Sequence, residues 1–390
     1  MSEAIIRIAA RGDGVTASGR HERFAVPGDV LQGDGTLLPG PHHQHPPCRH
    51  FPECGGCQLQ HADDEAYRGY LVERVMGALA QHDLKTEIRD PHLSPPRTRR
   101  RASLRALKLG KGAVIGFNAE KSNQIVDMRE CHILRPELLA MVAPLRTLLS
   151  SLLAPRRGAE VLLTLVDQGV DVLLKGVEPK GLEGIEALTA FCEANRLARL
   201  SLDQGYGPEA FYEPVQVTVT LSGTPVGFPA GGFLQATVDG EQALVASVLE
   251  AMGQAPRIAD LFAGLGTFAL SLEGQVYAAE ASRDAVLLLK RARPRIAVEH
   301  RDLFRRPLDI EELGRFDAVV LDPPRAGAFE QVTQIAASTT PRIAYVSCNP
   351  ATFARDAKLL VDGGYRLEWV RPVGQFRWST HVELAACFAR

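Results

Sequence analysis

Ser347-Cys348-Asn349-Pro350 sets a thiol between the end of an apolar strand and the start of a helix, where a cysteine becomes a nucleophile. Arg342 to Ser347 alternates and is β-branched enough for a buried strand, while Asn349 suits a helix cap and Pro350 the first helical turn. The Cys348 sulfur would face orphan backbone N–H groups. A helix N-terminus stabilises an anion by about 0.3–1 kcal/mol, so it assists a thiol of ordinary pKa about 8.5 without activating it alone. A packed strand-end cysteine is the plain alternative. Other segments must decide, among them Glu383, a lone carboxylate between Val382 and Leu384 on an alternating strand beside His381.

Four more segments with chemical potential each follow a strand. Asp260-Leu-Phe-Ala-Gly264-Leu-Gly266-Thr267 runs a strand into a glycine turn, where missing side chains let a ligand approach the backbone. Glu280 closes the next strand, 20 residues after Asp260, where a carboxylate can grip two ribose hydroxyls. Asp302 follows the third strand and Asp322-Pro-Pro-Arg325 the fourth, its prolines stiffening an exposed turn. Gly264-x-Gly266-x-x-Ala269 also fits the dinucleotide fingerprint of an NAD enzyme. Against NAD, the sheet ends after one cofactor half.

Cys48-x5-Cys54-Gly-Gly-Cys57, with Cys131 beyond 73 intervening residues, is a three-plus-one thiolate set whose glycines let the backbone wrap tightly around a bulky centre. Four thiolates suit zinc as well, and His50 and His61 lie nearby. Cys192 and Cys387 complete the odd count of seven and read as buried or incidental. Cys131 would staple the central region to the N-terminal segment.

At 390 residues and 45% hydrophobic content, the chain has enough apolar residues for two or three domains. No run approaches the ~18 apolar residues of a membrane span, and a cytoplasmic location is expected. With a net charge of −2, no global field draws in nucleic acid. Arg97 to Lys111, however, holds seven basic residues and no acidic one, which is either a solvated strand face or a phosphate-binding stripe. Residues 1–40 read as a short β unit from Ile5–Ile8, a turn at Arg11–Gly14, and Arg23–Val26. Residues 41–230 hold a helix over Asp63–Gln81 and then short, mostly antiparallel strands, six of them marked between Arg100 and Thr220. Residues 231–390 alternate strand and helix, including a helix over Thr267–Leu272, and imply a doubly wound α/β sheet with ligands beyond the strand carboxyl ends.

Taken in order, Asp260-Leu-Phe-x-Gly264-x-Gly266, Leu321-Asp-Pro-Pro-Arg325, Ser347-Cys-Asn-Pro350 and His381-Val-Glu383 resemble the motifs of bacterial RNA uracil-5-methyltransferases, specifically the iron-sulfur group that modifies large-subunit ribosomal RNA. The resemblance covers nearly the whole chain and departs at Thr267, where relatives often carry Asn. It implies a class I, Rossmann-like methyltransferase fold, with S-adenosylmethionine touched by Gln235, Phe262, Gly264, Glu280, Asp302 and Asp322. It implies Cys348 as nucleophile, Glu383 as base and a 4Fe-4S cluster on Cys48, Cys54, Cys57 and Cys131. A monomer acting on 23S rRNA is expected, with tRNA as the alternative target. Arg11-Gly-Asp-Gly14 and Val26-Pro-Gly-Asp29 look like fragments of the small RNA-binding β-barrel of many relatives, here shortened. Two other activities fit parts of the pattern: an amino-group methyltransferase, which needs no thiol, and a cluster-bearing RNA-binding protein without chemistry.

Overall fold

The computed structural model describes residues 2–390. At the N-terminus, β1 (Glu3–Ile8), β2 (Gly14–Thr16), β3 (His21–Glu22), β4 (Val30–Leu31) and β5 (Leu37–Leu38) form an antiparallel sheet in the order β3-β2-β1-β4-β5. The unit therefore has more strands than the sequence marks. Arg23–Val26 is not one of them, because Phe24 adopts a left-handed φ of 58°. Instead Val26-Pro-Gly-Asp29 is a turn organised by the fully buried Asp29, which accepts from Val26 N at 2.9 Å and Gly40 N at 2.7 Å and meets His43 Nδ1 at 2.8 Å.

Helix α1 (Asp64–Ala80) starts at Asp63, whose carboxylate accepts the Ala66 N–H at 2.8 Å. Tyr67, Tyr70, Leu71 and Val75 are buried along one face, as the spacing predicts. That face packs on the C-terminal half of the chain. The next short strands, β6 (Glu87–Ile88) and β7 (His92–Leu93), likewise join the edge of the C-terminal sheet. Residues 64–93 thus belong by packing to the sheet they brace, although they lie within the 41–230 segment in sequence.

The central unit comprises β8 (Arg101–Leu109), β9 (Gly112–Gly116), α2 (Pro136–Ala140), α3 (Val142–Leu152), β10 (Gly158–Val166), β11 (Gly169–Lys175), α4 (Gly181–Ala194), β12 (Arg199–Asp203) and β13 (Pro208–Tyr212). Its sheet order is β13-β12-β11-β10-β8-β9, antiparallel except where α4 carries the chain over to set β12 parallel to β11. The sequence marks four of these strands. It misses β12 and β13, and its strand at 124–126 is only a single bridge between Asn118 and Ile125. Its strand at 215–220 is part of a separate hairpin, β14 (Thr218–Leu221) and β15 (Thr224–Gly227).

The C-terminal unit runs α5 (Val238–Met252), β16 (Arg257–Leu261), β17 (Gln275–Glu280), α6 (Arg283–Ala292), β18 (Ala297–His300), α7 (Ile310–Leu313), β19 (Ala318–Leu321), α8 (Phe329–Ala337), β20 (Arg342–Ser347), α9 (Pro350–Asp362), β21 (Arg366–Gly374) and β22 (Glu383–Ala389). The order β18-β17-β16-β19-β20-β22-β21 has five parallel strands, then β22 antiparallel to both its neighbours, and β21 again in the direction of the five. Apolar cores cover both faces, α1, α8 and α9 on one and α5 and α6 on the other, which gives the doubly wound class I architecture. Strand order reverses between β16 and β19, the switch point at which such sheets bind ligands. The helix expected over Thr267–Leu272 is a run of turns instead. Gly266 has φ +92°, and Asp260 Oδ2 takes the Ala269 N–H at 2.8 Å, so a regular ladder cannot form there.

Candidate active site

Sheet register decides which residues meet. Leu261 pairs with Leu321 and with Ala279, which sets Phe262, Asp322 and Glu280 level at one edge. Ser347 pairs with Leu384 on antiparallel β22, so Cys348 leaves its strand beside Glu383, at the same edge. Residues separated by more than a hundred positions thus converge beyond the strand carboxyl ends.

The glycine turn and its acids form one continuous wall. Glu280 accepts Gly264 N at 2.9 Å and Ser282 N at 2.6 Å, while Asp302 accepts Phe304 N at 3.0 Å. Phe304 in turn packs on Phe262, whose φ is 65°. A Cβ on Gly264, at φ +55°, would meet nothing within 4 Å, so open space lies over that backbone. A Cβ on Gly266 would strike Leu289 at 2.5 Å; this glycine serves helix packing rather than ligand approach. Beneath the turn, Asp260 is fully buried with Oδ1 unpartnered, and burial pushes its pKa up to about 7.

Around Cys348 the loops are tied together. Asn349 caps α9 by accepting Ala351 N at 3.2 Å, and its amide donates to Arg325 O at 3.2 Å, joining the thiol loop to the Asp-Pro-Pro-Arg turn. Behind them Asp356, fully buried, accepts from Tyr345 Oη at 2.6 Å and Ala328 N at 2.8 Å. The helix start does not activate the thiol. Burial, Glu383 and Asp322 push Cys348 up to about 11, with only weaker opposition from its own backbone N–H and Arg325. Glu383 is itself raised to about 7 by burial, opposed by Gln375 and Arg101. Asp322 lies well above the usual carboxylate range because it is buried near Glu383 and Asp260. Gln235 reaches Asp322 at 3.5 Å and accepts Gln375 Nε2 at 2.8 Å. His381, held below its ordinary pKa by burial, then Arg325 and Arg99, packs on Phe376.

Sequence reasoning missed Gln375, which donates to Gln235 and opposes the rise of the Glu383 pKa, and the exposed Phe233, over which Arg101 lies at 4.6 Å. Neither sits in a recognisable local pattern. The basic run also divides unexpectedly. Arg100 is buried, paired with Glu241 at 2.6 Å and donating to Gln235 O at 3.0 Å, so it is a structural cation and not a phosphate ligand. Arg99 donates to Arg101 O and lies over Phe376. Only Arg97, Arg105 and Lys111 of the run are open to solvent.

An uncharacterized RNA methyltransferase of Zymomonas mobilis is 53% identical over 393 residues, 99% of each chain. A 23S rRNA (uracil(1939)-C(5))-methyltransferase of Thiobacillus denitrificans is 32% identical over 91% of this chain and 87% of its own. The chain belongs to the RNA uracil-5-methyltransferase family. Residues 294–390 of this methyltransferase match the family model for tRNA (uracil-5-)-methyltransferase, the stretch that holds Asp302, Asp322, Cys348 and Glu383. In fold it is similar to the Pyrococcus abyssi tRNA (uracil-54, C5)-methyltransferase in complex with S-adenosyl-L-homocysteine, at TM-score 0.76 and 23% identity over 100% and 99% of the two chains.

The four cysteines of this methyltransferase line one apolar pocket with Phe51, Phe117, Met128 and Ile133. Among the described residues no three His, Cys, Asp or Glu side chains converge as they would around a single metal ion. Gly55 is required here, because a Cβ would lie 2.9 Å from Asn118 O.

Proposed function

We propose that this enzyme transfers a methyl group from S-adenosylmethionine to C5 of a uracil in 23S ribosomal RNA, giving 5-methyluridine, with Cys348 as nucleophile and Glu383 as base. One observation carries the reading: a thiol and a carboxylate raised to about 7 sit side by side, with a glycine turn on the same sheet edge. Direct amine methylation has no use for that pair. The choice of 23S RNA rests on the 32% identical relative.

Uracil C5 is too poor a carbon nucleophile to take a methyl group unaided, so covalent help is needed. Addition of the Cys348 sulfur to C6 forms an S–C6 bond and moves the C5–C6 π pair onto C5 and the O4 carbonyl. C5 then attacks the methyl carbon, and the methyl–sulfonium bond breaks. Glu383 removes the C5 proton, the double bond returns, and Cys348 leaves as thiolate. With its pKa pushed to about 11, Cys348 is a protonated thiol in the free enzyme; Arg325 and the donor's sulfonium are the positive charges that favour its ionisation. Glu383 near 7 is suited to receive a proton and pass it to water. Gln235, Phe262, Gly264, Glu280, Asp302 and Asp322 would hold the donor, Glu280 on its ribose and Gly264 through its open backbone. The target base must leave its stack to reach the pocket.

Cys48, Cys54, Cys57 and Cys131 would hold a 4Fe-4S cluster, which would supply a covalent cross-link between the N-terminal loop and the central unit. Donor chemistry supports it: four thiols gathered in one mainly apolar pocket suit a cluster. A mononuclear zinc site needs ligands converging on one ion, about 2.3 Å from each sulfur. A monomer in the cytoplasm completes the proposal, with RNA met along the exposed basic residues of the Arg97–Lys111 run. Labelled S-adenosylmethionine incubated with bulk RNA, followed by nucleoside analysis of each RNA class, tests it. Label in 5-methyluridine from 23S RNA is expected. Label in tRNA would move the target, and label on an exocyclic amine would overturn the chemistry.

A further inference from the structure

Glu383 enters the site at the end of residues 375–382, an irregular loop between β21 and β22 that is fastened from outside the C-terminal sheet. Trp378 O accepts from both Gln58 N at 2.8 Å and Leu59 N at 2.9 Å. Tyr67 Oη donates to Phe376 O at 3.0 Å and lies 3.3 Å from Ser379 O. Tyr70 Oη lies 3.2 Å from Thr380 O, and Gln58 Oε1 accepts Thr380 N at 3.4 Å. Phe376, Trp378, Ser379 and Thr380 are therefore all held by Gln58–Tyr70, the segment leaving Cys57. Both tyrosines are 1% exposed, so these hydroxyls are shielded from competing water. The Trp378 side chain is buried in the same apolar core as Cys57 and Cys131.

We propose that Gln58, Tyr67 and Tyr70 are positioning residues for the Glu383 base, a brace through which the cysteine-bearing loop sets where that carboxylate stands. The proposal rests on the role given to Glu383 above. A base must come within about 2.6–3.2 Å of the proton it takes, and a misplacement of about 1 Å can cost about a hundredfold in rate. Cys348 is carried by β20 and α9; α1 packs on α9 through its rings and aliphatic side chains, but on the C-terminal unit the tyrosine hydroxyls reach only the 375–382 loop. Loosening the brace therefore slows proton removal and leaves thiol addition and methyl transfer nearly intact. A merely structural contact would instead reduce every step together.

The test uses full-length protein carrying Tyr67→Phe and Tyr70→Phe, which keep both rings and remove only the hydroxyls; Tyr67→Phe alone serves if the pair does not fold. Single-turnover reactions with S-adenosylmethionine and substrate RNA are followed on denaturing gels, with Glu383→Gln as control. A methylated RNA–protein adduct is expected to accumulate, resolving about tenfold slower than wild type, with formation rate and S-adenosylmethionine affinity within about twofold. Wild-type resolution, or equal losses in formation and resolution, would overturn the brace while the control still accumulates adduct. No adduct in the Glu383→Gln control would sink the base assignment, and the brace with it.

Discussion

Glu383 is costly to the fold in the ionised state that the proposed mechanism needs. Its pKa rises from 4.5 unfolded to about 7 folded, so between those values the folded chain holds a proton that the unfolded chain has lost. Stability contributed by this group therefore falls as pH rises from about 4.5 to about 7 and stays low above that. Asp260, raised from 3.8 to about 7, acts in the same direction. Thermal unfolding should show Glu383→Gln melting a few degrees higher than wild type at pH 8, the gap closing toward pH 4.5. Resolution of the covalent intermediate should rise with pH through an apparent pKa near 7, because only the carboxylate accepts a proton. A flat rate between pH 5.5 and 8 would remove Glu383 from that step. The places of Cys348 at a strand end and of Glu383 on a late strand were legible from short patterns, but their electrostatics were not. A helix dipole can be read locally, whereas the burial and the two carboxylates that raise the Cys348 pKa come from the packing of other strands.

Among elements, the sheet was legible because its strands alternate with helices at regular spacing. Its fastenings were not, since they join distant segments. Nothing local in Glu87–Ile88 or His92–Leu93 reveals that they extend the edge of β21. The same holds for Arg100, which reads as one charge in a basic run and proves to be a buried cation linking β8 to α5 through Glu241. Arg100→Ala should cost about 3–5 kcal/mol in urea unfolding, because it strands a buried carboxylate. It should also weaken S-adenosylmethionine binding, since Arg100 holds the Gln235 carbonyl. Replacing Arg99, Arg100 and Arg101 together would therefore mix folding with RNA binding. Arg97→Ala with Arg105→Ala and Lys111→Ala is the cleaner probe, and should lower the salt slope of RNA binding by about 0.7 for each phosphate no longer neutralised.

At the scale of the whole molecule, three units meet around one edge of one sheet, and the cysteine pocket lies where the N-terminal loop crosses to the central unit. Anaerobically purified protein should be brown and carry iron; Cys54→Ser should lose both, whereas zinc without iron would overturn the cluster. The central claim is that an enzyme–RNA bond made by Cys348 is broken with the help of Glu383. Glu383→Gln keeps the size of the side chain but cannot take the C5 proton, so addition and methyl transfer should proceed while elimination stalls. The most direct measurement is a denaturing gel of this variant with substrate RNA and labelled S-adenosylmethionine. A labelled covalent adduct is expected that requires the methyl donor and disappears when Cys348→Ala is added. Normal turnover by the Gln variant, or an adduct that survives loss of Cys348, would contradict the account.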